Sequence, residues 1–288
     1  MDGGRSGMIA AAGMSDPLAQ SRRPSPDVVE LGALPGVTSA ADLERFSAFV
    51  VDVSAPDDAV AALLRFAATA EFRNRFILFL GDACHGQAIA PSAVARCLFL
   101  ESGLEMSQAL WVARFMTADR DDPIVFGPAP EVPVFRAALH VRTLDDVERC
   151  TKLVGALLKL DVTASIGLRE LVLNAVEHGN LGITYQEKSR LLESGDWYQE
   201  VLRRLGLPQQ ETRYASLQIE SRPGFQQIVI RDQGKGFDWQ SYMAENVVPT
   251  ASRHGRGISM AIGADFDAVE YRGCGNEVVL TVGRTRSA

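Results

Sequence analysis

ELVLNAVEHGN, residues 170–180, is a mostly apolar stretch crossed by a line of polar groups. Glu170, Asn174 and His178 stand at intervals of four, which on an α-helix drifts by only about 40° per step and keeps all three on one face. Leu168, Leu171, Val172 and Ala175 take the apolar helical spacing on roughly the opposite side, which predicts packing there. The polar line offers one carboxylate, one amide and one imidazole just before Gly179. A merely solvated face, the alternative, more often carries long charged side chains.

Two later glycine clusters weigh against that alternative. Asp232-Gln-Gly234-Lys-Gly236-Phe237-Asp238 follows the strand-like run Gln227 to Arg231, and Gly255-Arg-Gly257 precedes the helix-like run Ile258 to Ala264. Glycines at such places allow close approach to backbone, and a helix start offers free N–H groups and a positive dipole end to an anion.

The ordered set E-x-x-x-N-x-x-x-H-G, D-x-G-x-G-F and G-x-G resembles the N-box and glycine boxes of the GHKL ATPase superfamily. That superfamily holds ATP-dependent chaperones, type II topoisomerase ATPase domains, sensor histidine kinases and bacterial anti-sigma factor serine kinases, all with the Bergerat ATP-binding fold. NAVEHGN and the short interval between the glycine boxes look most like the anti-sigma serine kinases. The resemblance covers roughly Phe135 to Val282, about half the chain.

It implies ATP and Mg²⁺ as cofactors, with a role for each matching residue. Glu170 would be the general base that activates the attacking hydroxyl, and Asn174 the Mg²⁺ ligand, its neutral amide leaving the ion's charge for the phosphates. His178 would lie near the phosphates or the metal, or else satisfy a local hydrogen bond. Asp232 would accept a hydrogen bond from the adenine amino group and so select ATP over GTP. Gly234 and Gly236 would let the base lie against backbone, with Phe237 behind it. Gly255 and Gly257 would give N–H groups to the phosphates, with Arg253 or Arg256 adding charge unless they face solvent. Thr281 matches a position where the family often has a hydroxyl near the adenine. Met243 to His254 would be a short ATP lid.

Composition sets outer limits. With 288 residues, 47% hydrophobic and 23% charged, the chain has enough apolar material for a sizeable core and two domains. A net charge of −7 without a dense Lys/Arg cluster argues against a nucleic-acid partner. Cys84, Cys97, Cys150 and Cys274 are widely spaced, which indicates reduced thiols in a cytoplasm rather than zinc or a disulfide framework. No apolar run reaches the roughly 18 residues of a membrane span, and no signal-peptide core stands at the start.

Residues 1–27, rich in Gly, Ser, Pro and Ala, read as a flexible arm. Beyond them strands at Val28 to Leu31, Ala48 to Val53 and Phe76 to Leu80 alternate with helices at Ala40 to Arg45 and Asp57 to Ala68, which suggests a parallel α/β sheet over residues 28–130. Asp52-Val-Ser-Ala-Pro56 resembles the surroundings of the phospho-acceptor in response-regulator receiver domains, a flavodoxin-like α/β fold. The acidic pair that a receiver uses for Mg²⁺ is missing before Val28, Asp82-Ala83 stands where a Ser/Thr-Ala is expected, and Gly127-Pro128 stands where a Lys-Pro is expected. The segment reads as a degenerate receiver, with an unrelated α/β sensor module as the alternative. Asp52 without its partners lacks the charge neutralisation phosphoryl transfer needs.

Pro123 to Pro133 carries four prolines and reads as the connector to a second domain, residues 131–288. There a strand at Phe135 to Val141, a T-x-x-D helix start at Thr143 to Asp146, helices over Val147 to Leu160 and Thr163 to Glu177, and strands at Tyr214 to Glu220, Gln227 to Arg231, Asp267 to Tyr271 and Glu277 to Val282 predict an α/β sandwich with a mixed, largely antiparallel sheet. The charged, helix-like insertion 182–210 reads as a solvated surface, or as a docking or dimer surface anchored by exposed Trp197, Tyr198 and Leu202.

The functional expectation is a serine/threonine kinase that phosphorylates an anti-sigma antagonist or similar regulator in a partner-switching pathway, possible as a homodimer. The rivals are a non-catalytic module that binds a sigma factor or other protein under nucleotide control, and an ATPase that drives a dimer clamp.

Overall fold

The computed structural model describes residues 8–12, 28–29, 46–52, 76–80, 97–101, 106–117, 129–132, 134–241 and 266–283. The helices expected at Ala40 to Arg45, Asp57 to Ala68 and Ile258 to Ala264, and the lid Met243 to His254, lie outside the described residues. The fold is mixed α/β, in two compact units, Met1–Ala138 and Leu139–Ala288.

In the first unit the strands β1 (Met8–Ala12), β2 (Val28–Val29), β3 (Phe46–Asp52), β4 (Phe76–Leu80) and β5 (Cys97–Glu101) run in the order β2-β1-β3-β4-β5. The pairs β1/β2, β1/β3, β3/β4 and β4/β5 are all parallel. Ala48, Phe49 and Val50 of β3 and Ile77 and Leu78 of β4 are buried in succession, which is why these strands read as unbroken apolar runs rather than alternating ones. Helix α1 (Met106–Thr117) packs on β3 and β4 through Ala109, Val112, Ala113 and Met116.

Two expectations change here. Met8–Ala12 is not part of a flexible arm: its backbone pairs with two strands at once. MIAAA was hidden by its Gly- and Ser-rich flanks, and a central strand's partners lie far away in sequence. Strand β5 and helix α1 were not anticipated either, and β5 is the strand that follows β4 in the sheet.

β6 (Phe135–Val141), which spans the division at Ala138/Leu139, begins a run of strands ordered β6-β7-β8-β10-β9, whose other members, β7 (Ala215–Arg222), β8 (Phe225–Arg231), β9 (Ala268–Arg272) and β10 (Glu277–Val282), belong to the second unit. The pairs β7/β8, β8/β10 and β10/β9 are antiparallel. The His140 ring, near the end of β6, stacks on Tyr214, just before β7, with centroids 3.8 Å apart. Ala215, Leu217 and Ile219 alternate into the core with Ile228 and Ile230 opposite. A two-residue turn joins β7 to β8, with Gly224 at φ +78°, a conformation that glycine adopts without strain.

Between β6 and β7 run α2 (Leu144–Leu158), α3 (Val162–Asn174), a π-helical turn (Ala175–Asn180), α4 (Tyr185–Ser194) and α5 (Trp197–Leu205). Thr143 and Asp146 form the reciprocal cap foreseen at the start of α2: Asp146 N donates to Thr143 Oγ1 and Thr143 N to Asp146 Oδ2. A similar box, Thr184 with Glu187, opens α4, and Gly195 at φ +80° closes it. Arg142, just past β6, donates to Leu205 O at 2.8 Å and Gln210 O at 3.1 Å, fixing the far end of the α4–α5 hairpin. Among the described residues no helix is long and apolar enough to cross a membrane.

Candidate functional site

Helix α3 starts where Asp161 Oδ1 accepts the Ala164 N–H at 2.7 Å, and it packs against α2. Leu168, Leu171, Val172 and, one residue past its end, Ala175 are all buried, as the spacing requires. Glu170 and Asn174 are half-buried on the other side. Glu170 is not alone there: Arg169 reaches its Oε1 at 3.1 Å while donating from Nε to Glu148 Oε1 of α2 at 2.6 Å. Those carboxylates, Glu148 foremost, raise the guanidinium pKa further. Asn174 ends the α-helical part, and its side chain makes no capping hydrogen bond to the turn that follows.

That turn is π-helical, a geometry in which each backbone bond spans one more residue than in an α-helix. Leu181 N donates to Val176 O and Ile183 N to Glu177 O, both at 2.9 Å. His178 Nδ1 lies 2.5 Å from Ile183 O, and because a carbonyl only accepts, Nδ1 carries the proton. The local hydrogen bond is therefore what occupies Nδ1 of His178.

The same turn carries the Asp232 loop. A Cβ on Gly179 would fall 2.2 Å from Asp232 Cγ, and one on Gly234 would fall 2.4 Å from Gly179 O. Neither position tolerates a side chain without displacing its neighbour. Asn180, buried, accepts the Gln233 N–H at its Oδ1 (2.9 Å), and its Nδ2 has no hydrogen-bond partner among the described residues. The close approach permitted by Gly179 and Gly234 thus joins helix end to loop. Gly179→Ala is expected to destabilise the protein by about 1–3 kcal/mol through this overlap, read as a lower urea midpoint; an unchanged midpoint would refute the contact.

Asp232 follows β8 and is pinned from a third side. Its N–H donates to Asn276 O (3.0 Å), Asn276 Nδ2 donates to Asp232 O (3.2 Å), and the Gly234 N–H reaches Asp232 Oδ1 at 2.7 Å. Burial pushes the Asp232 carboxyl up to about 6, against the downward pull of the Gly234 N–H. Gly236 (φ +73°) and Phe237 lie on the β9–β10 turn, where Phe237 N donates to Cys274 O at 2.8 Å. The Phe237 ring, 38% exposed, meets Tyr271 edge-on at 5.3 Å.

Thr281 is not brought to this loop. In β10 it pairs with Gln227, whereas Glu277 pairs with Arg231 next to Asp232; four residues of strand put it about 13 Å away. Asn276 is the β10-side residue that touches Asp232, and the sequence reading missed it. Its position straight after Gly273-Cys-Gly275 in the tight turn was the available signal. Arg253, Gly255, Arg256 and Gly257 lie outside the described residues.

On its other side the π turn meets the hairpin. Glu177 is fully buried, with Lys188 Nζ at 2.5 Å from one oxygen and Trp197 Nε1 at 2.6 Å from the other. Arg204 of α5 donates to Leu181 O at 3.1 Å and bonds Glu187 and Glu200. Trp197 is therefore not the exposed anchor expected of it, because its indole N–H serves a buried carboxylate; Tyr198 and Leu202 are exposed. Glu177 had no place in the sequence reading, since a glutamate between Asn174 and His178 looks like one more polar group on a helix.

No family model matches this chain, and neither a curated protein nor a solved structure matches it. Among the described residues no group of three or more His, Cys, Asp or Glu stands ready to hold a metal. A metal at Asn174 would have to take most of its ligands from phosphate and water, as Mg²⁺ commonly does.

Proposed function

We propose that the Leu139–Ala288 unit binds ATP with Mg²⁺ in a Bergerat-type fold and passes the γ-phosphate to a serine or threonine of a protein partner. The observation that carries this reading is the backbone contact of Gly179 with Asp232 and Gly234, which joins the helix of Glu170 and Asn174 to the loop that the resemblance pairs with it. Asp232, half-buried at a loop of bare backbone, suits an adenine amino group, and the half-buried Asn174 amide suits a hard cation already carrying phosphate oxygens. When bound, Mg²⁺ would neutralise phosphate charge.

In this reading the acceptor hydroxyl oxygen bonds to the γ-phosphorus, its proton passes to the Glu170 carboxylate, and the bond to ADP breaks. Arg169 holds that carboxylate in place from its flank. The partner is an anti-sigma antagonist or sigma factor, and the setting is cytoplasmic. The parallel order β2-β1-β3-β4-β5 is the flavodoxin-like order and supports a receiver-like first domain, regulatory rather than phosphorylated. With β1 at Met8–Ala12, only Asp16 supplies a carboxylate in the residues just after it, and β5 ends at Glu101, with Ser102 rather than a lysine next in sequence.

Calorimetry on the full chain tests the site. ATP is expected to bind more tightly with Mg²⁺ than with EDTA, and Asn174→Ala to remove about tenfold or more of that difference. Glu170→Gln is expected to leave binding intact and slow transfer to the partner at least about 100-fold. An intact chain that binds no ATP overturns the reading. Binding without transfer to any partner serine or threonine favours the non-catalytic module, for which the Arg169 ion pair on Glu170 is the supporting observation.

A further inference from the structure

The π turn is held by two different parts of the molecule. Gly179 and Asn180 carry the Asp232 loop, and Glu177 and Leu181, in and just after the same turn, are held by Lys188, Trp197 and Arg204 of the hairpin. A π turn is uncommon because its wider ring is poorer than α geometry, so it persists where outside contacts fix it, and it often marks a functional place. Here the fixing contacts come from the hairpin, and they are strong ones: a buried carboxylate with a cation and an indole N–H on its two oxygens.

We propose that Glu177 is a positioning residue for the Asp232 loop, and that the α4–α5 hairpin, by gripping Glu177, sets the adenine selectivity of the site. The physical route is short. If the grip on Glu177 loosens, the turn can close to α geometry, which rotates every residue after Val176 about the helix axis. Gly179 then no longer backs Asp232 and Gly234, and Asn180 Oδ1 leaves the Gln233 N–H. Glu170 and Asn174 precede the turn and keep their places, so the hairpin acts on base recognition and not on the metal side.

This rests on the nucleotide-binding reading, and its test separates the two. Lys188→Met and Trp197→Phe each remove one contact to Glu177 from the hairpin side; the second keeps the aromatic packing and serves if the first folds poorly, with circular dichroism as the check. Dissociation constants for ATP and GTP are measured on the full chain, with Mg²⁺ and with EDTA. Each variant is expected to weaken ATP about tenfold, leave GTP within about twofold, and leave the ratio of Mg²⁺ to EDTA affinity unchanged, as for residues that share a network with Asp232. On an Asp232→Asn background the two changes are expected to have no further effect on ATP. Equal losses for ATP and GTP, no loss at all, or losses that add to that of Asp232→Asn overturn the proposal while leaving ATP binding standing. A native chain that binds neither nucleotide overturns the function itself, and this inference with it.

Discussion

Asp232→Asn is expected to weaken ATP binding about 10- to 100-fold at neutral pH, the range for losing a hydrogen bond to a charged group, and at the same time to make the nucleotide-free protein more stable. The two effects have one cause. Burial raises the Asp232 carboxyl from 3.8 to about 6, so between those values the folded state holds a proton that the unfolded state has released. The contribution of this group to stability is fully present below about pH 4 and is lost as pH rises through about 6.

At pH 7 the native protein carries a half-buried charge whose cost, reduced for the part of the group that solvent still reaches, is about 1–2 kcal/mol. Asparagine removes that cost and can still accept the Gly234 N–H. Its NH₂ group, however, would face the adenine amino group donor to donor. Thermal melts of the two proteins should therefore differ at pH 7, with the variant higher, and converge near pH 4. Nucleotide affinity of the native chain should fall as pH drops below about 6, as the acceptor becomes protonated. A variant that is less stable at pH 7, or that binds ATP normally, would remove Asp232 from the role assigned to it.

Lys188→Met is expected to cost about 3 kcal/mol of folding stability, because it leaves the Glu177 carboxylate buried without its cation. Trp197 Nε1 still donates to that carboxylate, but one neutral donor does not replace an ammonium 2.5 Å away. The sharper expectation concerns the double variant. Glu177→Gln with Lys188→Met should recover most of the loss, since a neutral amide can accept from Trp197 and needs no counter-charge. Urea unfolding of the three proteins checks this. If the double variant is as unstable as Lys188→Met alone, the methionine itself is the fault and the buried charge is not.

Much of the second unit was legible because its signals are local. Thr143 and Asp146 mark a helix start by their own side chains, and the period of Leu168, Leu171, Val172 and Ala175 states which face is buried. The alternation of β7 and β8 is likewise written into consecutive residues. What escaped notice depends on neighbours distant in sequence. Met8–Ala12 is a strand because β3 lies beside it. Gly179 needs its missing side chain because Asp232 comes to rest there, and Thr281 stands away from Asp232 because of a register no single strand announces. The π turn is a compromise between the hairpin and the loop, each pulling on AVEHGN from beyond it.

β6 and β7 are neighbours in the sheet, yet α2, α3, the π turn and the hairpin all lie between them in the chain. β7 and β8, by contrast, need only a two-residue turn to meet. Closing a long loop costs entropy before any of its contacts repay it, so the β7–β8 hairpin is expected to pair first in this unit and the β6 seam after it. During synthesis the polar line of Glu170 and Asn174 therefore leaves the ribosome well ahead of the strands that complete its surroundings. The π turn, which packs on β7, takes its final form only once that later-made strand has emerged.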